Sequence, residues 1–338
     1  TGSGFSISVA SAGDVNGDGY SDVVIGSPFY DNGQTDEGRA YLFKGNSSGL
    51  VTTPNWTYEN NQASSNLGFS IASAGDANAD GYSDLILGAY KYDGTFTNEG
   101  RIYYFNSNSV NYTATPLTTI NGTQTGEFFG YSVSTADDVN GDGYSDVIVG
   151  APLYDNGQTD EGKCYAYLGI VTGISSTPVW TKESNEISGQ FGISVSTAGD
   201  MNADGFADVI LGGNFLDNGH PDEGRAFVYL GFSGGLENSA HVIYESNQAN
   251  SQFGFSVATA GDVNGDGFSD VIVGANEYDN PSSNEGAAYV YLGSATGMGT
   301  TAGWSAEGNQ ADAWFGNSVS SAGDVNGDGY TDVIVGAF

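Results

Sequence analysis

The chain has 338 residues, 41 acidic against 7 basic side chains, and a formal charge of −34. That balance excludes a binder of nucleic acid or anionic lipid, because neutralising phosphate takes clustered Lys and Arg. The 43 aromatic residues (4 Trp, 21 Tyr, 18 Phe) exclude an acidic disordered chain, no apolar run approaches the ~20 residues of a membrane-spanning helix, and the lone Cys164 excludes an intrachain disulfide.

A 62-residue period governs the whole sequence: Asp14, Asp76, Asp138, Asp200, Asp262 and Asp324 each open the same string. Repeats begin near residues 1, 63, 125, 187, 249 and 311, the last one incomplete. Length alone suggests two domains, but an unbroken period predicts a single domain over residues 1–338. The chain opens inside a repeat, so a trimmed start is expected, with Thr1 to Gly4 a cloning remnant.

Each repeat reads as four short strands. The first is Phe-Gly-x-Ser-Val, as in Phe253 to Val257, with larger apolar residues alternating with small ones. The second, such as Asp270 to Ala275, is apolar on both faces and suits a strand covered on both sides. The third follows Glu-Gly, as in Glu223 to Gly231. The fourth carries a column of Trp56, Trp180 and Trp304, with Thr118 and Val242 in the other copies. No helical period appears, and short strands at regular spacing with Gly, Asn and Asp between them predict an all-β fold. One such unit cannot bury both its faces, so copies must pack on one another. Small residues beside Phe and Val in the first strand suit the crowded centre of a β-propeller of four-stranded blades, with six blades expected and seven as the alternative.

Between strands one and two lies Asp-x-Asn-x-Asp-Gly-aromatic-x-Asp. The oxygen donors at its positions 1, 3, 5, 7 and 9 are Asp14, Asn16, Asp18, Tyr20 and Asp22 in the first copy. The corresponding sets are Asp76, Asn78, Asp80, Tyr82 and Asp84; Asp138, Asn140, Asp142, Tyr144 and Asp146; Asp200, Asn202, Asp204, Phe206 and Asp208; Asp262, Asn264, Asp266, Phe268 and Asp270; and Asp324, Asn326, Asp328, Tyr330 and Asp332. The position-7 residue offers its backbone carbonyl, and the Gly at position 6 permits a sharp bend. Hard oxygen donors in this number suit Ca²⁺ better than Mg²⁺ or Zn²⁺, so about six Ca²⁺ are expected, one per repeat. An EF-hand is excluded, since position 12 is Ile25, Leu87, Val149, Leu211, Val273 or Val335 in place of a bidentate Glu. The bland reading is an Asn/Asp/Gly turn with solvated carboxylates. Against it, three Asp within nine residues repel one another without a cation, and the pattern recurs six times. Affinity is expected in the range of extracellular modules, ~10⁻⁴ to 10⁻³ M, which places the protein outside cells, secreted or at the surface.

Phe-Gly-x-Ser-Val, the calcium-type loop and Val-Ile-Val-Gly-Ala-Pro, complete at Gly150-Ala151-Pro152, together resemble the FG-GAP repeat of integrin α-subunit propellers and their bacterial relatives. The resemblance covers essentially the whole chain. It implies a propeller with Ca²⁺ in hairpin loops on one face and a role in extracellular adhesion or recognition. Departures include Phe5-Ser6 and Leu67-Gly68 for Phe-Gly, and Gly26-Ser27-Pro28, Gly88-Ala89-Tyr90, Gly212-Gly213-Asn214 and Gly274-Ala275-Asn276 for Gly-Ala-Pro.

Other residues read as scaffold. Tyr30 to Gly38, recurring at Tyr154 to Gly162 and, altered, at Leu216 to Gly224 and Tyr278 to Gly286, is expected to be a turn, with a ligand-reading loop as the rival. Arg39, Arg101, Lys163 and Arg225 share one column and are expected to pair with nearby acids. Cys164 reads as a small buried apolar group, and the Trp column as packing between outer strands. Asn46, Asn55, Asn111 and Asn121 begin glycosylation sequons. His220 and His241 sit in non-equivalent positions outside any nucleophile motif, so no enzyme is expected. The expected function is a non-enzymatic adhesion, recognition or self-assembly scaffold, with a carbohydrate-binding propeller or an accessory domain of a secreted enzyme as alternatives. A protein or glycan is the expected ligand. The Val- and Ile-rich edge of the last strand, Asp332 to Phe338, adds the expectation of a homo-oligomer or fibre through open strand edges.

Overall fold

A computed structural model describes residues 4–295 and 298–338. Of the expected remnant, Thr1 to Ser3 lie outside the described residues. Among those described there is no helix. Five antiparallel four-stranded sheets follow one another, each paired in chain order. Their strands are Ser8–Gly13, Asp22–Ser27, Arg39–Phe43 and Trp56–Tyr58; Ser70–Gly75, Asp84–Ala89, Arg101–Phe105 and Thr118–Asn121; Ser132–Asp137, Asp146–Ala151, Lys163–Tyr167 and Trp180–Glu183; Ser194–Gly199, Asp208–Gly213, Arg225–Tyr229 and Val242–Glu245; and Phe253–Gly261, Asp270–Ala275, Ala287–Tyr291 and Trp304–Glu307. A sixth hairpin pairs Ser318–Gly323 with Asp332–Gly336. The fold is all-β, a repeat of four-stranded blades of the β-propeller type.

The second strand is placed as its sequence predicts, and Asp208–Gly213 is buried along its whole length. The first strand differs from the sequence expectation. Outside the fifth copy it starts at the Ser after Phe-Gly and runs on to the residue before the loop. There the register slips by one residue, at Ser11/Gly13, Ser73/Gly75, Thr197/Gly199, Thr259/Gly261 and Ser321/Gly323. The last residue of each strand holds a left-handed φ, as Gly199 does at 69°, which is the signature of a glycine-type β-bulge. Asp137 adopts the same conformation at 55° in the third copy, a conformation that Asp tolerates better than most residues.

The chain clusters into two compact units, one of residues up to Asp137 with Gly143–Tyr154 and Tyr165–Thr181, the other of Asp138–Asp142, Asp155–Cys164 and Lys182–Phe338. In the first unit Trp56 packs against Tyr58, Phe105 and Tyr112 in a core with Leu42, Leu67 and Leu87, and its Nε1 donates to the Thr113 carbonyl at 3.0 Å. Trp56 thus makes the outer-strand packing expected of the Trp column and Trp180 is likewise buried, whereas Trp304 is exposed. In the second unit Tyr244 stacks on Tyr291 at 3.8 Å beside Phe253, Val271 and Val273. Cys164 is buried.

Successive copies meet backbone on backbone. A Cβ added at Gly212 would lie 1.9 Å from the Gly254 carbonyl oxygen, and one at Gly88 2.0 Å from that of Gly130. The same carbonyls accept Ser194 Oγ–H at 2.8 Å and Ser70 Oγ–H at 2.7 Å. The Gly of Phe-Gly and the Gly of Gly-Ala-Pro are thus two halves of one contact, too close for any side chain.

Candidate metal centre

The bulge turns the chain into the Asp-x-Asn-x-Asp-Gly loop, and the first Asp organises it. Asp14 Oδ1 accepts the Gly17 N–H at 2.7 Å and the Asp18 N–H at 3.1 Å, while Oδ2 accepts the Gly19 N–H at 2.8 Å. Burial pulls the Asp14 carboxyl upward, but the N–H groups of Gly19, Gly17, Asp18 and Asn16 outweigh it and hold it below its usual value. Asp200 and Asp262 accept the equivalent N–H of Gly205 and Gly267, each at 2.9 Å. Asn16 sits against Asp18, its Nδ2 donating to Oδ2 at 3.0 Å, and Asp18 Oδ1 accepts the Tyr20 N–H at 3.0 Å. Gly19 needs its freedom here, with φ at 88°.

Position 9 has a second role that the sequence does not announce. Asp22, Asp84, Asp146, Asp208 and Asp270 are fully buried. Asp208 accepts the Met201 N–H at 2.8 Å on one oxygen and the Gly231 N–H at 2.9 Å on the other; Asp270 takes Val263 and Gly293 in the same way. Asp22, Asp84, Asp208 and Asp270 therefore each clamp the start of the loop to the end of the third strand. In the second copy Tyr104 adds its hydroxyl to Asp84 at 2.6 Å. Burial pushes Asp84 up to about 6, against the Tyr104 and Ser107 donors. Burial also raises Asp208, to about 7, with the charges of Asp200 and Asp204 adding to the shift.

Neighbouring loops are joined. The Asp14 carbonyl accepts the Ser83 N–H at 3.3 Å, Asp76 that of Ser145 at 3.2 Å, and Asp200 that of Ser269 at 3.0 Å. Where position 4 is Gly, the aromatic ring at position 7 of the next copy covers it: a Cβ on Gly17 would lie 2.8 Å from the Tyr82 ring, and one on Gly265 2.6 Å from Tyr330; the second and fourth copies carry Ala79 and Ala203 there. The side chain at position 7 is thus a lid over the preceding loop, while its carbonyl is the atom the sequence reading assigns to the metal.

The sequence model of the FG-GAP repeat matches residues 5–43, 67–105, 129–167, 253–291 and 315–337, more than half of the chain. The chain belongs to the FG-GAP repeat family. Among curated proteins it is similar to integrin alpha-5 of Xenopus laevis, 33% identical over 62% of this chain and 20% of that protein. It is likewise similar to integrin alpha-4 of Xenopus laevis, 31% identical over 75% of this chain and 23% of that one. This FG-GAP chain spans about a fifth of the length of the integrin α relatives it matches. Among solved structures, an exotype rhamnogalacturonan lyase covers 96% of this chain and 70% of its own at 11% identity and a TM-score of 0.39, a likeness that carries no argument.

The donor chemistry of the FG-GAP loops fits a hard cation: carboxylate, amide and carbonyl oxygens, with no sulfur or imidazole. Hydrogen bonds bring positions 1, 3 and 5 of each loop together, and position 9 anchors the start of the loop in the first, second, fourth, fifth and sixth copies. Among the described residues no three Asp, Glu, His or Cys side chains converge as a metal cluster. Away from the loops, three of the four basic column residues pair with acids as expected, Arg39 with Glu59, Lys163 with Glu183 at 2.8 Å and Arg225 with Glu186 at 3.2 Å, whereas Arg101 donates to Asn121 Oδ1 at 2.6 Å. Sequence reasoning missed the Glu just before it: Glu37, Glu99, Glu161, Glu223 and Glu285 are all fully buried. The signal was present, a Glu in one column of five copies inside a turn otherwise built of Asn, Asp and Gly.

Proposed function

We propose that this FG-GAP chain is an extracellular β-propeller, one domain over residues 1–338, that binds about six Ca²⁺ in its hairpin loops and acts as a non-enzymatic scaffold for adhesion or recognition. The observation that carries the reading is the loop itself, repeated six times in one place of the fold with an all-oxygen donor set. In each loop the Asp at positions 1, 5 and 9, the Asn side chain at 3 and the carbonyl at 7 would hold the ion. Calcium supplies charge neutralisation and cross-linking there: six ions move the formal charge from −34 to −22 and tie loop ends together, the stapling role that disulfides do not fill. Modest-affinity oxygen sites of this kind fill at extracellular calcium levels, and the integrin α relatives support the adhesion reading.

The test is to screen the calcium-loaded protein against arrayed extracellular-matrix proteins and arrayed glycans, with and without EDTA. Calcium-dependent capture of a protein is the expected result. Glycan capture alone transfers the function to a lectin, and turnover of an arrayed glycan overturns the non-enzymatic reading.

A further inference from the structure

In the first and fourth copies a tyrosine of the fourth strand packs against the third strand of the next copy. The Tyr58 ring centre lies 5.6 Å from that of Tyr103 and 4.8 Å from that of Phe105, and Tyr244 stacks on Tyr291 at 3.8 Å. In the second copy the same column holds Ile120, and in the third Lys182. Both exchanges leave space between copies. Beside Ile120 a cavity of about 180 Å³ remains against Phe129, Tyr165 and Tyr167. Beside Lys182 the cavity is about 350 Å³, at the low end of small-molecule sites, ~300–1,000 Å³.

The larger cavity is aromatic inside and carries one unmatched charge. Phe191 and Phe227 line it, edge to face at 5.3 Å, together with Tyr229, Ala240 and Ile243. Phe191 and Tyr229 are buried, whereas Ile243 is exposed, so the cavity is open to solvent on one side. The two acids that line it are already neutralised, Glu186 by Arg225 at 3.2 Å and Glu183 by Lys163 at 2.8 Å. Lys182 is not: its ammonium donates to the Asn238 carbonyl and among the described residues pairs with no acid. In a chain with 41 acidic and 7 basic side chains, a half-buried cation beside an open aromatic cavity is out of keeping with its surroundings.

We propose that the seam between the third and fourth copies binds a small aromatic carboxylate, whose ring takes the place that Tyr58 and Tyr244 fill at their own seams and whose carboxylate pairs with Lys182. Aromatic rings gain from edge-to-face and offset contact beyond the area they bury, which Phe191, Phe227 and Tyr229 offer. An ammonium bonds a carboxylate about twice as strongly as a neutral acceptor, so the ligand displaces the Asn238 carbonyl. At physiological salt the field of distant acids is screened over about 8 Å, and the nearest unmatched charge decides. The Ile120 seam has the ring space without the cation and is the chain's own control. This inference stands apart from the calcium loops and from the adhesion reading.

The experiment titrates the full calcium-loaded chain at physiological salt by calorimetry, with 4-hydroxyphenylacetate, with p-cresol as the ring alone and with acetate as the carboxylate alone, for the wild type, Lys182→Met and Lys182→Tyr. The wild type is expected to bind 4-hydroxyphenylacetate saturably and at least about tenfold more tightly than p-cresol, a gap equivalent to about 1.4 kcal/mol, with no measurable binding of acetate. Lys182→Met is expected to lose that gap and to bind the acid no better than p-cresol. Lys182→Tyr, which refills the seam from within, is expected to melt higher and to bind neither. No saturable binding by the wild type, or a gap that survives in Lys182→Met, overturns the proposal. Acetate binding as tightly as the aromatic acid overturns the role of the ring, and unchanged binding by Lys182→Tyr overturns the location. If Lys182→Tyr fails to fold, Lys182→Met with an unchanged melt decides alone.

Discussion

Replacing Asp208 and Asp204 separately by Ala distinguishes the clamp from the metal ligand. Asp208 is fully buried, and its two oxygens serve the N–H groups of Met201 and Gly231. Asp208→Ala orphans both donors. A buried donor left unmade costs about 1–3 kcal/mol, so about 2–6 kcal/mol of stability is expected to be lost already without calcium, and more with it, because Asp208 is also a ligand at position 9. The low end applies to metal-free protein at alkaline pH, where removing a buried charge gives some energy back. Asp204 is exposed and accepts only the Phe206 N–H at 3.0 Å and the Asn202 Nδ2–H at 2.9 Å, both within the loop. Without calcium Asp204→Ala is expected to shift stability by no more than about 0.5 kcal/mol, as for an ordinary surface change; in millimolar calcium the loss grows, because a ligand is gone. Urea unfolding followed by tyrosine fluorescence, in EDTA and in calcium, reads both variants. An Asp208→Ala variant as stable as wild type in EDTA refutes the clamp. An Asp204→Ala variant whose loss is the same in both buffers refutes metal ligation at position 5.

Gly212→Ala drives a methyl to 1.9 Å from the Gly254 carbonyl, and overpacking of this kind costs about 1–3 kcal/mol. Gly219→Ala, with nothing within 4 Å and φ at 99°, carries backbone strain alone, about 1–2 kcal/mol. The two urea midpoints should separate in that order, and equal midpoints contradict the back-to-back contact. Stability also depends on pH in metal-free protein. Asp84 and Asp208 are raised from 3.8 to about 6 and about 7, so the folded state binds protons more tightly than the unfolded one. Their contribution is full below about pH 4 and is lost as pH rises through 6 to 7. In EDTA the urea midpoint should therefore fall between pH 5 and pH 8, and a midpoint that rises across that window contradicts the burial of these carboxyls.

Much of this fold is legible in the sequence because the period aligns like with like. Asp270 to Ala275 is a strand in sequence and structure alike, since an apolar run flanked by turn residues admits little else. The fourth strands begin at the Trp column, at Trp56, Thr118, Trp180, Val242 and Trp304. What stayed hidden is what depends on the next copy. Phe-Gly looks like the opening of a strand, yet the reason for its Gly is a carbonyl packed against Gly212 or Gly88 of the preceding copy. The aromatic at position 7 reads as a loop residue until Tyr82 is seen covering Gly17. Buried carboxylates escape sequence reasoning for another reason. Acids are expected in water, so Glu37 passed as part of a solvated turn although its Oε1 accepts the Asn32 N–H at 2.6 Å. The candidate metal loops were fully visible as donors, whereas the clamping role of Asp22 and its equivalents needed the third strand in place.

Native mass spectrometry of the whole chain across a calcium titration, with melting curves at each point, measures the central claim most directly. About six ions are expected to bind, one per hairpin loop, with the melting temperature climbing as they fill and collapsing in EDTA. A chain that stays free of ions at millimolar calcium, or that melts at one temperature throughout, contradicts it.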